Sequence, residues 1–203
     1  TSTIKINING RSKKFVIKRN LEFYIENILA SLAVIYNYLD LNDISEKFFF
    51  NYNLPEGRGD HKNIKINKKK IHFIDESYNS NPLSLKFALK NFSKLRTGSK
   101  RKIILLGDML ELGKFSKKLH LAAAKTVNNT SINSVYVYGK KVIDTFNKIR
   151  TQKRGKILYS IKDVSNFLND EIKDGDYLMI KGSNSTGLNN ISKKLKSGKI
   201  NAI

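Results

Sequence analysis

The chain has no cysteine, two prolines and no apolar run approaching the roughly 18 residues that span a bilayer. Without cysteine, disulfides and thiolate chemistry are excluded, and a reducing, cytoplasmic setting is expected. Without a long apolar run, no membrane-spanning helix is expected. Residues Thr1 to Asn9 alternate apolar and polar and lack the apolar stretch of a secretory signal. Acidic residues are also scarce: 17 Asp and Glu face 38 Lys and Arg, a formal net charge of +21. That excess invites a nucleic-acid reading. However, it is mostly lysine, spread through every segment together with abundant Asn and Ile, as compositional drift would produce. The longest basic run, Lys68-Lys69-Lys70, sits between Ile66 and Ile71, where a hairpin turn is expected. The charge pattern therefore argues against a dedicated nucleic-acid face and leaves a general attraction for anionic small molecules.

With 203 residues, 40% of them hydrophobic, one or two domains can bury a real core. Opening on Thr1 in mid-pattern, the chain reads as a piece of a longer or processed protein. Ile4–Ile8 and Phe15–Lys18 alternate around Asn9-Gly10, a hairpin signal. A long apolar helix is expected over about Glu22–Leu39, burying Ile28, Leu32, Ile35 and Leu39. A second is expected over Asn42–Phe50, capped by Asn42. Leu54-Pro55-Glu56-Gly57-Arg58-Gly59-Asp60 then breaks all periodicity and marks a domain boundary, dividing 1–54 from 55–203.

Beyond it, strand-like runs (64–66, 71–74, 103–106, 134–138, 156–159, 176–180) alternate with helical stretches (83–95, 117–127, 141–149, 161–168, 187–195). Leu85, Ala88, Leu89, Phe92 and Leu95 form an amphipathic stripe in the first helix. This alternation predicts an α/β fold, a mostly parallel sheet flanked by helices in the Rossmann-like manner.

In such sheets ligands bind beyond the carboxyl ends of the strands. Three polar loops occupy those positions: Asp75–Pro82, Gly107–Gly113 and Lys181–Gly187. Each also has a plain structural reading. Asn81-Pro82 is a good helix start, with Asn as N-cap and Pro at the first helical position. Gly113 can end a helix, and Glu111 can be a solvated side chain. Lys181–Gly187 does not match a phosphate-binding P-loop, although helix-start amides there could hold an anion. The histidines show no metal-ligand spacing: His61 falls in the linker, His72 in a strand and His120 in a helix, where it is expected to support a loop.

Taken together the loops acquire meaning. Asp75–Pro82 resembles the D-D-S-Y-N-A-N-P motif of MurF-type Mur ligases, and Gly107–Gly113 resembles their G-D-M-x-E-L-G motif. Lys181-Gly182-Ser183 is similar to their K-G-S motif, and Gly57-Arg58 to the Gly-Arg at their domain junction. The resemblance covers nearly the whole chain. It implies that residues 1–54 are the tail of a central ATP-binding domain and 55–203 a C-terminal Mur ligase domain.

The resemblance further implies an ATP-dependent amide ligase that phosphorylates a carboxylate and lets an amine attack the acyl phosphate. For the MurF type the acid is UDP-N-acetylmuramoyl-tripeptide and the amine is D-alanyl-D-alanine. ATP and Mg²⁺ are the implied cofactors, with the metal ligands mainly in a part that this chain lacks, and the intact enzyme is expected to be a monomer. Having no P-loop, the chain by itself is not expected to catalyse.

Residue by residue, the resemblance assigns Asn27 to adenine, with Phe23 standing where the family usually has histidine. Arg58 would reach the ATP phosphates, a task suited to its permanent charge and planar fork. Glu76 would accept hydrogen bonds from ribose hydroxyls. Ser77, Tyr78, Asn79 and Asn81 would line the seam between amine and acyl phosphate, with Arg58, Asn79 and Asn81 carrying catalysis. Lys181 and Ser183 would hold the dipeptide, with Asn184 in place of a common arginine.

Two other readings compete with this one. A MurE-, folylpolyglutamate- or cyanophycin-type ligase shares the architecture but not the Ser77–Pro82 string, and the D-N-P-R pattern expected of MurE is absent. A non-catalytic, basic, RNA-associated module would interleave aromatics with cations on one face. Here Phe48-Phe49-Phe50 and Tyr136–Tyr138 read instead as core.

Overall fold

The computed structural model describes residues 1–199, with Arg19, Asn20 and Phe23 described by backbone alone. The chain divides into two compact units, Thr1–Leu54 and Pro55–Ile203.

In the first unit β1 (Ser2–Ile8) pairs antiparallel with β2 (Arg11–Ile17), Ser2 opposite Ile17 and Ile8 opposite Arg11. Asn9 and Gly10 turn the hairpin with φ of 50° and 81°. Positive φ at both central residues matches the twist of the flanking strands. A 3₁₀ segment, Arg19–Tyr24, leads into α1 (Ile25–Ile35), which buries Ile28 and Leu32 in a core with Phe15, Ile17 and Leu21.

The helix is shorter than its apolar spacing predicts. Turns follow Ile35, and Leu39 is exposed rather than buried. The predicted helix over Asn42–Phe50 does not form, and Asn42 is not its cap. Instead the Asp40 carboxylate accepts from the Asn42 N–H at 2.9 Å and starts a single 3₁₀ turn, Leu41–Asp43. Ile44 is then extended (φ −86°, ψ 123°), which lets Leu41, Ile44 and Phe49 all reach the core. Of the three adjacent phenylalanines only Phe49 is core; its ring lies edge-on to Phe15, while Phe48 is exposed.

The second unit is built on a six-stranded sheet of order β3-β4-β8-β5-β6-β7. The strands are β3 (Asp60–Ile66), β4 (Lys69–Glu76), β5 (Lys102–Gly107), β6 (Ser134–Tyr138), β7 (Arg154–Leu158) and β8 (Tyr177–Lys181). β3 is antiparallel to β4, and every other neighbouring pair is parallel. His61 therefore lies in a strand, opposite Ile74, not in a linker. Asn67 and Lys68 make the β3–β4 turn, so Lys69 and Lys70 belong to β4.

Helices cover both faces: α2 (Pro82–Lys94), α3 (Ser116–Asn128) and α4 (Ile143–Phe146) on one, α5 (Ile161–Asn166) and α6 (Leu188–Lys196) on the other. Successive residues of β5 serve the two cores in turn, Ile103 and Leu105 facing α5 and α6, Ile104 and Leu106 facing α2 and α3. A strand buried on both sides reads as a continuous apolar run, as Ile103–Leu106 does.

α4 is shorter than the predicted Lys141–Ile149. The next amides pair three residues back instead of four, Lys148 N–H with the Thr145 carbonyl at 3.1 Å and Ile149 N–H with the Phe146 carbonyl at 3.2 Å, so the helix tightens into turns. Nor does Gly113 end a helix; with φ of 52° it opens the 3₁₀ turn Gly113–Phe115 that leads into α3.

Candidate functional site

Because β4, β8 and β5 are adjacent and parallel, the loops that leave their carboxyl ends share one rim of the sheet. The chain returns from the far edge to insert β8 between β4 and β5, which brings Lys181–Gly187 between the other two loops.

Two side chains from the central loop tie the rim together. The Ser183 hydroxyl donates to the Ser80 carbonyl at 3.2 Å and accepts from the Leu110 N–H at 2.9 Å. The Lys181 ammonium donates to the Asn79 carbonyl at 3.0 Å and lies 3.6 Å from the Glu76 carboxylate. The Ser183 N–H also donates to the Asp108 carbonyl at 3.0 Å. Both side chains are buried, so each is engaged in holding loops to one another.

Glu76 and Lys181 oppose burial with charge. Burial raises the Glu76 pKa above the usual glutamate value, and the neighbouring Lys181 charge pulls it back only in part. Burial likewise lowers the Lys181 pKa, against the pull of Glu76.

Arg58 sits at one end of the rim. Its guanidinium stands over the Tyr78 ring, 4.6 Å from the centroid, and both residues are exposed. The backbone beneath them is close-fitting: the Tyr78 N–H donates to the Gly57 carbonyl at 3.1 Å. Gly57 has φ of 75°, and a Cβ there would lie 2.9 Å from the Tyr78 nitrogen, so only glycine allows this approach.

Below this loop, one oxygen of the fully buried Asp75 accepts from the Ser77 N–H at 3.1 Å and the Ser77 hydroxyl at 2.6 Å. The other lies 2.8 Å from the ammonium of Lys196, which also meets Asp60 at 3.0 Å. Burial would lower the Lys196 pKa, but the two carboxylates outweigh it and the net direction is upward.

At the other end of the rim, Asp108 accepts from the Lys141 and Val142 N–H groups at 3.0 and 2.7 Å. Gly139 (φ 138°) passes so close that a Cβ would lie 2.5 Å from that carboxylate. His120 supports the same loop from below: Met109 N–H donates to Nε2 at 3.1 Å, while Nδ1 donates to the Ser116 carbonyl at 2.9 Å. A cleft of about 540 Å³ opens here, with Tyr138, Lys140 and Tyr159 on its walls and Leu158 and Ile143 in its lining.

Of the residues singled out from sequence, Arg58, Tyr78, Asn79 and Asn81 are exposed along the rim, and Glu76 is half-buried beside Lys181. Ser77, Lys181 and Ser183 are buried and bonded within the protein. Asn81 caps α2 in a reciprocal box: its side chain accepts from the Ser84 N–H at 2.8 Å, and Ser84 Oγ accepts from the Asn81 N–H at 3.1 Å. Asn27 lies in the other unit, exposed in the first turn of α1.

Sequence reasoning passed over Asp75, Asp108 and Lys196, which organise the rim. For the two aspartates a signal existed, since Asp75 is the next-to-last residue of β4 and Asp108 directly follows β5, each a carboxylate adjoining an apolar run. Lys196 is one lysine among many and carries no local mark. Among the described residues no group of three or more His, Cys, Asp or Glu could hold a metal ion, and no helix is long and apolar enough to cross a membrane. Arg58, an exposed cation on a glycine-flanked loop, suits an anionic phosphate.

Comparison with known proteins agrees with this architecture. The family described as "Mur ligase, glutamate ligase domain" matches residues 63–184. The chain is 28% identical over 149 residues to the UDP-N-acetylmuramoyl-tripeptide–D-alanyl-D-alanine ligase of Rickettsia prowazekii, covering 73% of this chain but 32% of that protein. It thus spans about a third of the length of this curated relative. The fold is similar to that of MurF from Acinetobacter baumannii (TM-score 0.76, 18% identity, 96% of this chain and 42% of that one). It is also similar to MurF from Thermotoga maritima, solved in complex with ADP (TM-score 0.69, 18% identity, 95% and 42%). With the family match extending over more than half of the chain and the sheet order in place, the chain belongs to the Mur ligase family.

Proposed function

We propose that this chain is the C-terminal portion of an ATP-dependent, ADP-forming amide ligase that joins D-alanyl-D-alanine to UDP-N-acetylmuramoyl-tripeptide in the cytoplasm. The observation that carries the reading is the convergence of Tyr78-Asn79-Ser80-Asn81-Pro82 and Gly107–Gly113 on one rim, joined by Ser183. The name of the Rickettsia relative points the same way.

The chemistry has two steps. A substrate carboxylate oxygen attacks the γ-phosphorus of ATP, and ADP leaves. The dipeptide amine then attacks the acyl carbon, phosphate leaves, and the nitrogen gives up a proton. Both steps gather negative charge at the phosphoryl group, so catalysis is mainly positioning and charge neutralisation. In this reading Arg58 supplies a fixed positive charge, and stacking on Tyr78 limits where it can point. Asn79 and Asn81 offer amides to the seam. Lys181 and Ser183, buried as they are, act by holding the loops that form the seam. Glu76 faces the ribose, and Asn27 contributes to adenine binding from the Thr1–Leu54 unit, read here as the tail of the ATP-binding domain. When bound, Mg²⁺ would neutralise phosphate charge, with its ligands outside this chain. The exposed apolar residues of α1, Ile25, Leu29 and Val34, are then surface that the rest of that domain covers.

The test is to incubate the complete protein with ATP, Mg²⁺, UDP-N-acetylmuramoyl-tripeptide and D-alanyl-D-alanine. ADP release that requires both other substrates, with formation of the pentapeptide product, is expected. Ligation of a single amino acid instead of the dipeptide would move the chain to another branch of the family. Failure to release ADP with any acceptor would overturn the reading.

A further inference from the structure

We infer that Lys196 is a positioning residue for the proposed ligation, because it clamps the loop that carries Arg58 onto the rim of the sheet. The proposal rests on the reading of Arg58 given above. Lys196 lies in the last turn of α6, far in sequence from the residues it holds. Its ammonium meets Asp60 Oδ2 at 3.0 Å and Asp75 Oδ2 at 2.8 Å. These two carboxylates stand at the roots of the two segments whose fit places Arg58. Asp60 opens β3 directly after the loop, and its Oδ2 also accepts from the Gly57 N–H at 3.2 Å. Asp75 lies near the end of β4, and its other oxygen orients Ser77, the residue before Tyr78. The Gly59 N–H donates to the Asp75 carbonyl at 2.8 Å and the Tyr78 N–H to the Gly57 carbonyl at 3.1 Å, closing the loop against the strand.

The cation is what makes this arrangement tenable. Asp75 is fully buried, and the side chains of Lys196 and Asp60 are 14% and 23% exposed. Two carboxylates against one nitrogen lie close together, and without the positive charge they would repel in a site largely closed to water. Asp60 has the freer exit, since its loop faces solvent. Its departure would release Gly57 and with it the base on which Arg58 and Tyr78 stack. An unclamped Arg58 would still be present but no longer aimed, and a misplacement of about 1 Å at a reacting centre can cost on the order of a hundredfold in rate.

Lys196→Met, Lys196→Arg and Asp60→Asn separate this role from a merely structural one. In hydrogen exchange on this chain, Lys196→Met should speed exchange of the Gly57 and Gly59 amides at least about tenfold while β5 and β8 amides stay protected. In the complete ligase, Lys196→Met should lower kcat by about a hundredfold with little change in the acceptor KM, and Lys196→Arg should restore most of it. Asp60→Asn keeps the buried Lys196–Asp75 pair, so it carries the same test if Lys196→Met does not fold. Unchanged exchange of the 57–60 amides in a folded variant overturns the clamp. A loosened loop with normal ligation, in an enzyme that Arg58→Ala still disables, overturns the positioning role and leaves the proposed function standing. If Arg58→Ala is itself harmless, the function assigned to Arg58 fails, and the exchange result still decides the clamp.

Discussion

The Lys181 ammonium and the Glu76 carboxylate face each other at 3.6 Å across neighbouring parallel strands, with the lysine almost wholly buried. Each holds a pKa displaced by burial toward its neutral form, and each is the other's main compensation. The folded pKa of Glu76 is raised, so its contribution to stability is fully present below the unfolded value and is lost as pH rises through the folded one. The folded pKa of Lys181 is depressed, so its contribution is present at alkaline pH and lost as pH falls through the folded value. Lys181→Met removes the charge that restrains Glu76 and drives that pKa higher. The variant should therefore lose stability relative to the parent as pH rises above the raised folded pKa of Glu76 toward neutrality. Adding Glu76→Gln should recover much of the loss. Urea melts across that range check it; a difference independent of pH would refute the coupling.

Asn81 has two readings that one pair of measurements separates. As the N-cap of α2, its loss in Asn81→Ala should cost about 1 kcal/mol and lower the melting temperature by a few degrees. As a seam residue, its loss should slow ligation by the complete enzyme beyond anything the melt explains. A destabilised variant with normal initial rates would leave Asn81 purely structural.

Gly139→Ala should be poorly tolerated, because the added Cβ meets Asp108 at 2.5 Å and φ of 138° strains an L side chain. A loss of about 1–3 kcal/mol is expected. Asp108→Ala strips the acceptor from two backbone amides and should cost a similar amount. In the double variant the clash is gone and only the backbone strain remains, so the two losses should not add. Strict additivity in denaturant melts would show that Gly139 does not act through Asp108.

Arg58→Ala in the complete ligase should cut kcat by roughly a hundred- to a thousandfold, or about 2.7–4 kcal/mol, with the melt nearly unchanged. Arg58→Lys keeps the charge but loses the planar stack on Tyr78, and should recover only part of the rate. Full recovery by lysine would show that charge alone matters and that the Tyr78 contact is incidental.

Local chemistry was written plainly in the chain. Asn9-Gly10 demands a hairpin because both residues accept positive φ, and Asn81-Pro82 starts a helix because one caps it and the other cannot donate inside it. The apolar runs that form β4, β5 and β8 were equally legible, and so were the polar loops after them. The same logic failed at Asn42–Phe50, where a competing Asp40 side-chain bond and the reach of Ile44 and Phe49 into a core outweighed helical spacing. It failed again past Ile35, where apolar residues continue beyond the helix without being buried.

By itself, then, the sequence determined the Asn9-Gly10 turn, the Asn81 cap, the alternation of strand and helix beyond Asp60, and the polar loops at the strand ends, since each depends on neighbours within a few positions. Only the tertiary structure decided that β8 enters between β4 and β5, that Ser183 and Lys181 face inward to join three loops, and that Lys196 meets Asp60 and Asp75. Strand order and long-range ion pairs follow from which surfaces can be buried together, and no local spacing encodes that choice: one lysine among so many is singled out only when the fold carries it between the Asp60 and Asp75 carboxylates.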